Sequence, residues 1–484
     1  MILGELIANY PTVGIVGNLD IDITGISHDS RNISKDNIFV AKKGYNYDGH
    51  KYINEAIENG ANSIIIEDEC VLDPRVTFIK VKDTTDALGF ICSNFFNNPW
   101  EKLFMIGITG TNGKTSTTYF IKGILDANNI KVGVIGTTGI IIDDELIKLD
   151  NTTPDPLVLQ YNLNKMVNSN TKSCVMEVSS HALDLKRVDY MDFDIGIFTN
   201  LTKDHLDFHM NMQNYFRSKM KLFYKTTKYN IINIDDNYGR DIIKEIGSRI
   251  NLLTYGIDNI ADVYATNIKY SIDKVNFTLN HKKQNIDIKL NIPGRFSVYN
   301  ALAAASCGIA MNINIDIIKF GLENVVGVKG RFEIVPINKE FTVIIDFAHT
   351  ADGLEKVLSV IDQFAEGRKI VVFGAGGNRD KTKRPDMGET VGNHADIAIV
   401  TSDNPRFEEP SKIIDDIIVG IKKTDILYKI IVDRKEAIEY ALSIAEPKDL
   451  ILLAGKGHEK FTIIGDNLYP FDERQITLNY FKNI

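Results

Sequence analysis

The sequence predicts an α/β protein of three domains, on two observations. Strand-like apolar runs alternate with amphipathic helical patterns along almost all of the 484 residues, which favours parallel sheets layered with helices. The pattern also restarts twice, before the run LFMIGITG and near Gly330. We therefore expect an N-terminal α/β domain at residues 1–98, a central domain with a mostly parallel sheet at 99–330, and a Rossmann-like domain at 331–484.

The composition is that of an ordinary globular chain, with 44% hydrophobic and 25% charged residues. The net charge of −9 argues against a general affinity for nucleic acid or an anionic membrane. The four cysteines form no CxxC pair, which favours a reducing compartment. The first residues carry no signal-peptide pattern, and no apolar run is long enough to span a bilayer. We expect a cytoplasmic monomer without nucleic-acid or membrane partners.

Strand-like runs dominate the last third of the chain, namely FTVIID, KIVVFG, DIAIVT, YKIIVD and DLILLAG. We expect all of them to be buried strands, separated by helices. One such helix is indicated by apolar residues at Leu354, Val357, Leu358 and Ile361. The polar groups AHT, GAGGNRDK, SDNPR and GKGHE follow the strands. Because ligands bind beyond the carboxyl ends of strands in open α/β sheets, these groups predict one ligand-binding crevice.

The most specific motif is a phosphate-binding loop, or P-loop, with the sequence GITGTNGKT at residues 107–115. Backbone N–H groups of a glycine-rich loop wrap a phosphate, Lys114 supplies a positive charge, and the hydroxyl of Thr115 can hold Mg²⁺. Ile108 replaces the usual first glycine, so the motif is a variant. The apolar face of the following helix comprises Phe120, Ile121, Ile124 and Leu125.

Further candidate residues follow the P-loop. Glu177 ends an apolar strand, where its carboxylate could bind Mg²⁺ or simply be solvated. His205 and His209 have the i, i+4 spacing of a zinc site but lack the glutamate of HExxH, so a structural role is favoured. Lys219, taken alone, has the pattern of a solvated helix lysine.

A set of motifs in this order resembles the Mur ligases, ATP-dependent enzymes that add amino acids to the UDP-N-acetylmuramoyl peptide of bacterial cell walls. The motifs are GTNGKT, MEVSSHAL, NLTKDHLDFH with a lysine ten residues on, PGRFSVYNALAA, GVKGRFE, DFAHT and GKGHE. DSRNI and SDNPRFEEP resemble the members that add the third peptide residue. The resemblance covers essentially the whole chain.

The resemblance implies a nucleotide site and a catalytic centre. ATP would contact Gly110, Thr111, Asn112, Gly113, Lys114, Thr115, Ser116, Asn300, Arg331 and Asp346. Besides Lys114, the catalytic residues would be Glu177, His205 and Lys219. Thr115 and Glu177 would hold a first Mg²⁺, and His205 would hold a second beside a CO₂-derived carbamate on Lys219. Only a neutral, desolvated lysine reacts with CO₂, and lysine shifts its pKa readily when buried.

The resemblance also implies sites for the other two substrates. The UDP-muramoyl dipeptide would contact Ser30, Tyr45, Asn46, Tyr47, Asn151, Thr152, Thr153, Ser179 and Arg187, so that the N-terminal domain binds UDP. The incoming amino acid would contact Arg379, Asp403, Asn404, Pro405, Arg406, Gly455 and Glu459. The implied reaction activates the substrate carboxylate as an acyl phosphate, which the amine then attacks.

Arg406 indicates which amino acid is added. A guanidinium binds a carboxylate in a bidentate manner, so Arg406 favours meso-diaminopimelate, whose far end carries a carboxylate. Asp403 and Asn404 are expected to take the far ammonium group. The alternative within the family is a ligase that adds L-lysine.

Three other interpretations account less well for these residues. A P-loop ATPase that acts as a switch leaves the motifs of the third domain unexplained. A ligase like folylpolyglutamate synthetase leaves HDSR and GYNYDG unexplained. A dinucleotide site at GAGGNRD is disfavoured because Arg379 occupies the sixth position of GxGxxG, where glycine is needed.

Overall fold

The computed structural model describes residues 1–44, 47–149, 151–271, 273–327 and 329–482. The chain packs into two compact units. The first comprises residues 1–109, 130–196 and 218–230, and the second comprises residues 110–129, 197–217 and 231–484. The boundaries of the three predicted domains stay a prediction.

The N-terminal part of the first unit is a five-stranded sheet flanked by short helices. Its strands lie in the order Thr12–Val16, Thr77–Val81, Ala61–Ile66, Asn37–Val40 and Gly25–Ser27. The first pair is antiparallel and the remaining pairs are parallel. The α-helices are Leu3–Leu6, Ile53–Glu58 and Thr84–Phe95, and the 3₁₀ helices are Ser30–Asn32, Gly49–Tyr52 and Pro99–Lys102.

The middle of the chain alternates strands and helices and contributes to both units. Its strands are Phe104–Thr109, Val132–Gly136, Gly139–Ile142, Glu145–Ile147, Ser173–Glu177, Phe193–Phe198, Thr226–Asn233, Asn251–Gly256, Val263–Tyr270, Val275–His281 and Gln284–Leu290. Its helices are Lys114–Ala127, Pro156–Asn168, Ser180–Asp184, Leu206–His209, Met212–Tyr224, Asn237–Ile246, Arg295–Ala310 and Ile315–Glu323. Within the first unit, Ser173–Glu177 pairs in parallel with both Phe104–Thr109 and Val132–Gly136. Glu177 therefore ends a central, buried strand.

The C-terminal part of the second unit contains a six-stranded sheet. Its strands lie in the order Glu333–Ile334, Thr342–Asp346, Leu450–Ala454, Lys369–Phe373, Ile397–Val400 and Leu427–Ile430. All pairs after the first are parallel. The helices are Ala351–Ile361, Lys383–His394, Pro410–Ile421, Arg434–Ile444 and Glu473–Lys482, and Phe461–Ile464 and Asn467–Pro470 form a separate hairpin.

The predicted elements of this last region are confirmed, with one exception. The helix Ala351–Ile361 buries the apolar residues on which its prediction rested. The strand predicted at YKIIVD is not buried. It spans Leu427–Ile430 at the edge of the sheet, and all of its residues are exposed. An apolar run does not distinguish an edge strand from a central one, because that difference depends on which strands pair. Among the described residues, none of the helices has the length and apolarity to cross a bilayer.

Candidate active site

The P-loop connects the strand Phe104–Thr109 to the helix Lys114–Ala127, as predicted. The helix buries the predicted apolar face, formed by Phe120, Ile121, Ile124 and Leu125. Gly113 has a φ of +88°, and a Cβ there would lie 2.4 Å from Oδ1 of Asn300. Glycine is therefore required at this position by both backbone conformation and space. The structure brings Asn300, predicted from the family resemblance, against the P-loop.

Polar side chains fix the conformation of the P-loop. Nζ of Lys114 donates to the carbonyl oxygens of Gly110 and Thr111 at 2.8 and 2.9 Å. The N–H of Asn112 donates to Oδ1 of Asn200 at 3.0 Å. The side-chain amide of Asn112 donates to Oδ2 of Asp352 at 2.6 Å. The P-loop is thus hydrogen-bonded to the first turn of the helix Ala351–Ile361, which belongs to the C-terminal part of the chain.

Arg331 also reaches the P-loop, and Asp346 positions it. The guanidinium of Arg331 lies over the ring of Phe347 at 4.5 Å, and its Nη2 lies 3.4 Å from Oγ1 of Thr115. The buried carboxylate of Asp346 accepts from the N–H groups of Phe332 and Ala348, both at 2.7 Å. Burial raises the pKa of Asp346, and the positive charge of Arg331 opposes that rise. Asp346 thereby orients the backbone beside Arg331.

A second polar cluster, within the first unit, surrounds Glu177. This carboxylate is only 1% exposed and accepts from the N–H and hydroxyl of Thr137 at 2.9 and 3.0 Å. The hydroxyl of Thr153 donates to the Glu177 carbonyl at 2.8 Å and accepts from the N–H of Ser179 at 3.0 Å. Arg187 donates to the Thr153 carbonyl at 2.7 Å. Residues predicted for the metal and for the muramoyl dipeptide therefore share one cluster.

The other residues predicted to bind the UDP-muramoyl dipeptide are placed less uniformly. Ser30 is buried and donates to Glu55 at 2.9 Å, and Thr152 lies 3.2 Å from the Thr137 hydroxyl. Tyr47 and Asn151 are exposed. Tyr45 and Asn46 lie outside the described residues.

His205 and His209 lie in different environments. His209 is buried and stacks on Tyr215 with ring centroids 5.0 Å apart, which supports the structural role predicted for it. His205 has a φ of +55°, and its Nε2 lies 3.5 Å from Oδ2 of Asp204.

Lys219 lies on the helix Met212–Tyr224 and is only 2% exposed, so the solvated alternative is wrong. Lys219 and Glu177 belong to the first unit, and His205 and Thr115 to the second.

The residues predicted to bind the amino acid lie mainly in one charged cluster of the second unit, which we call the amino-acid cluster. Gly455 has a φ of +117°, and a Cβ there would lie 2.6 Å from Oδ2 of Asp403. The Asn404 amide donates to Oε2 of Glu459 at 2.8 Å. Arg406 donates to the carbonyls of Gly377 and Asn404 at 3.0 and 3.4 Å. Arg379 is exposed and Pro405 is buried. The amino-acid cluster thus combines carboxylates with a guanidinium, as a zwitterionic ligand requires.

Several residues of the sites were not predicted. In the second unit these are Asn200 and Asp352, which accept hydrogen bonds from the P-loop residue Asn112, and Lys456, which donates to Asn404. In the first unit, burial lowers the pKa of both His28 and Lys42, and Asp155 opposes each shift. Nδ1 of His28 is buried and has no hydrogen-bond partner among the described residues. His28 is the first residue of HDSR, so the predicted motif contained it but only Ser30 was singled out.

A buried ion pair lies next to Asp403 in the amino-acid cluster. Arg434 and Glu473 are 4% and 1% exposed, and Nε of Arg434 donates to Oε1 of Glu473 at 2.8 Å. Nη1 of Arg434 also lies 3.9 Å from Asp403. Replacing one member of a buried charge pair leaves the other uncompensated.

We expect Glu473→Gln to lower the stability of the protein by about 1–3 kcal/mol, because a neutral amide cannot compensate Arg434 although it still accepts a hydrogen bond. The exposed pair Lys412–Glu409, with an N–O distance of 3.6 Å, offers the matched control Glu409→Gln. That control should change stability by no more than about 0.5–1 kcal/mol. Urea unfolding of the three proteins measures the difference, and equal midpoints for both variants would contradict the expectation.

A P-loop together with a cluster of carboxylates and a guanidinium is what is expected of an ATP-dependent amino-acid ligase. The chain belongs to the Mur ligase family, since models for three domains of that family match it. The Mur ligase family catalytic domain matches residues 22–96, the Mur ligase middle domain matches 108–308, and the Mur ligase glutamate ligase domain matches 330–457. The predicted α/β fold class, family and enzyme class are thereby confirmed.

Relatives and solved structures agree with this assignment. A protein from Caldanaerobacter subterraneus subsp. tengcongensis is 50% identical over 96% of this chain and 95% of its own, and one from Alkaliphilus oremlandii is 48% identical over 99% and 98%. Both are named UDP-N-acetylmuramoyl-L-alanyl-D-glutamate–2,6-diaminopimelate ligase. A solved structure of the same name is 28% identical, covers 100% of this chain and 99% of its own, and has a TM-score of 0.70.

A folylpolyglutamate synthase from Mycobacterium tuberculosis is 15% identical with a TM-score of 0.64, and covers 75% of this chain and 91% of its own. That likeness shows the fold alone.

Proposed function

We propose that the chain joins meso-diaminopimelate to the D-glutamyl carboxylate of UDP-N-acetylmuramoyl-L-alanyl-D-glutamate, with conversion of ATP to ADP and phosphate, in the synthesis of peptidoglycan. The observation that carries the proposal is the cluster of Asp403, Arg406 and Glu459, which offers both signs of charge to a zwitterionic amino acid. The names of relatives that are 43–50% identical to the chain support it.

In the first step, the substrate carboxylate attacks the γ-phosphorus of ATP, and an acyl phosphate and ADP form. Lys114 lies over the loop that would wrap the phosphates, so its ammonium can neutralise part of their charge. Arg331 adds a second cation next to Thr115. Asn300, which lies against Gly113, would contact the adenosine part of the nucleotide.

The donor set fits Mg²⁺, which prefers oxygen ligands. Thr115 offers a hydroxyl. Glu177 offers a buried carboxylate that accepts hydrogen bonds from Thr137, a neutral donor. As the family resemblance implies, Thr115 and Glu177 would each be a Mg²⁺ ligand, and so would His205 and a carbamate on Lys219. When bound, Mg²⁺ neutralises charge on the transferring phosphoryl group. The near-complete burial of Lys219 supports the carbamate, because CO₂ reacts only with the neutral amine.

In the second step, the amine of the incoming amino acid attacks the acyl carbon. The tetrahedral intermediate expels phosphate, the ammonium proton is released, and an amide bond remains. No nucleophile of the protein is needed. Asp403, Arg406 and Glu459 orient the amino acid so that its reacting amine is presented to the acyl phosphate. On the other substrate, Thr153, Ser179 and Arg187 would hold the muramoyl dipeptide, and the segments around Ser30 and Tyr47 would hold UDP.

The experiment that tests this function measures ADP release with substrates added singly and together. We expect rapid release only when ATP, Mg²⁺, the UDP-muramoyl dipeptide and meso-diaminopimelate are all present, because the dipeptide carboxylate accepts the phosphoryl group. Full-rate ADP release from ATP and Mg²⁺ alone would support the switch interpretation instead. Release that requires L-lysine, or a folate in place of the UDP-linked acceptor, would support one of the two alternative ligases.

A further inference from the structure

Lys456 is a completely buried lysine beside the amino-acid cluster, and the proposed mechanism does not use it. Its side chain is 0% exposed. Nζ donates to Oδ1 of Asn404 and to the carbonyl oxygen of Phe461, both at 2.9 Å. It also lies 3.7 Å from Oε2 of Glu459 and 4.0 Å from Oδ1 of Asp403. A buried ammonium is tolerated only when it is paired and hydrogen-bonded, and Lys456 meets both conditions.

These contacts decide which atom Asn404 can offer to a ligand. Oδ1 of Asn404 accepts from Nζ of Lys456 at 2.9 Å and from the N–H of Ile463 at 3.0 Å. An amide oxygen has two lone pairs, so these two donors use its capacity. Nδ2 of Asn404 faces Oε2 of Glu459 at 2.8 Å with one hydrogen and retains a second. The oxygen is therefore engaged, and Asn404 can only donate to a ligand.

This arrangement disfavours one expectation from the sequence. Asn404 was expected to take the far ammonium of the diamino acid, which needs a free acceptor oxygen. An amide whose oxygen is already used binds a carboxylate instead. Arg406, which donates to the Asn404 carbonyl at 3.4 Å, is the neighbouring carboxylate-binding group.

We propose that Lys456 is a positioning residue for the incoming amino acid, which holds Asn404 so that its Nδ2 is presented, together with Arg406, to the far carboxylate. The ammonium ties Asn404 to the carbonyl of Phe461 at the start of the hairpin Phe461–Pro470. It also offsets the repulsion between the carboxylates of Asp403 and Glu459. This inference rests on the proposed function, because it assumes that the amino-acid cluster binds a diamino acid.

The first test is Lys456→Met, which keeps the length of the side chain and removes the charge and the donors. We expect KM for meso-diaminopimelate to rise roughly 10- to 100-fold, the loss typical of a hydrogen bond to a charged group. KM for ATP and for the UDP-muramoyl dipeptide should stay unchanged. The control is Lys460→Met, because Lys460 is exposed and lies 3.8 Å from Asp472. An unchanged KM for meso-diaminopimelate, or an equal rise in all three constants, would overturn the proposal.

A double-mutant cycle separates positioning from general support of the fold. If Lys456 acts through Asn404, adding Lys456→Met to Asn404→Ala should leave KM for meso-diaminopimelate close to that of Asn404→Ala alone. Multiplication of the two single effects would overturn the proposal.

A further variant keeps Lys456 and so tests the proposal even if Lys456→Met does not fold. Asn404→Asp replaces the donor nitrogen by an oxygen, and we expect KM for meso-diaminopimelate to rise by a similar factor. Equal or tighter binding by Asn404→Asp would mean that residue 404 faces an ammonium, and would overturn the proposal. The unsubstituted protein distinguishes failure of this inference from failure of the proposed function. Absence of diaminopimelate-dependent ADP release in that protein would contradict the proposed function itself.

Discussion

Lys219→Ala is expected to abolish ligation in an ordinary assay while leaving the fold intact. Lys219 lies on the helix Met212–Tyr224 and is only 2% exposed, which is the environment in which a lysine can be neutral and form a carbamate. Loss of one group that stabilises charge in the transition state costs about 2.7–4 kcal/mol, which corresponds to roughly 10²–10³ in kcat. The measurement is the steady-state rate of ADP release with all substrates present.

Rescue and a matched lysine make this prediction specific to the carbamate. Acetate or another small carboxylate should restore part of the activity of Lys219→Ala, because it can occupy the volume of the missing carbamate. The control is Lys221→Ala on the same helix, since Lys221 is partly exposed and its Nζ lies 2.5 Å from Asp184. We expect the control to retain activity. Near-normal turnover by Lys219→Ala would eliminate the role of the carbamate.

The parts of the protein that the sequence predicts well are those in which the signal is local. The P-loop is recognised from consecutive residues, and the structure confirms its position between a strand and a helix. The helix Ala351–Ile361 is recognised from apolar residues at helical spacing. Both depend on neighbours in the chain, so no knowledge of tertiary contacts is needed.

The parts that the sequence does not predict depend on distant partners. Asp352 bonds to Asn112 across 240 positions of the chain, and Lys456 bonds to Asn404 across 52. Nothing in the sequence near Lys456 distinguishes a buried lysine from an exposed one such as Lys460. Lys219 is a further example, since its sequence context alone favours a solvated lysine, whereas its side chain is buried. Long-range pairing therefore decides which charged residues serve the site.

The choice of amino acid is expected to depend most strongly on Arg406. The structure gives this residue a φ of +52° and places its Nη1 3.0 Å from the carbonyl of Gly377. Burial lowers the pKa of Arg406, and the neighbouring charge of Arg379 lowers it further, but a guanidinium remains protonated at neutral pH. Arg406 consequently keeps a positive charge that a carboxylate of the ligand can pair with.

Diaminopimelate and L-lysine differ at the end that this charge would meet. Diaminopimelate carries a carboxylate there, which a guanidinium binds in a bidentate manner. L-lysine carries a bare ammonium, which would offer no acceptor to the remaining N–H groups of Arg406 and the Asn404 amide and would add a like charge. A site built around such polar contacts can reject the analogue that lacks them by roughly 10⁴–10⁵-fold. We therefore expect kcat/KM for meso-diaminopimelate to exceed that for L-lysine by up to this factor.

Arg406→Ala should remove most of that preference. Truncation of one partner in a buried, hydrogen-bonded charge pair costs about 2–5 kcal/mol, so kcat/KM for meso-diaminopimelate should fall accordingly while that for L-lysine changes little. Arg406→Lys should recover only part of the loss, because an ammonium lacks the planar fork of a guanidinium. The control is Arg75→Ala, an exposed arginine paired with Asp73 at 2.7 Å. Comparable efficiency with both amino acids in the unsubstituted enzyme would rule out the assignment of diaminopimelate, and an equal loss for both in Arg406→Ala would rule out Arg406 as its determinant.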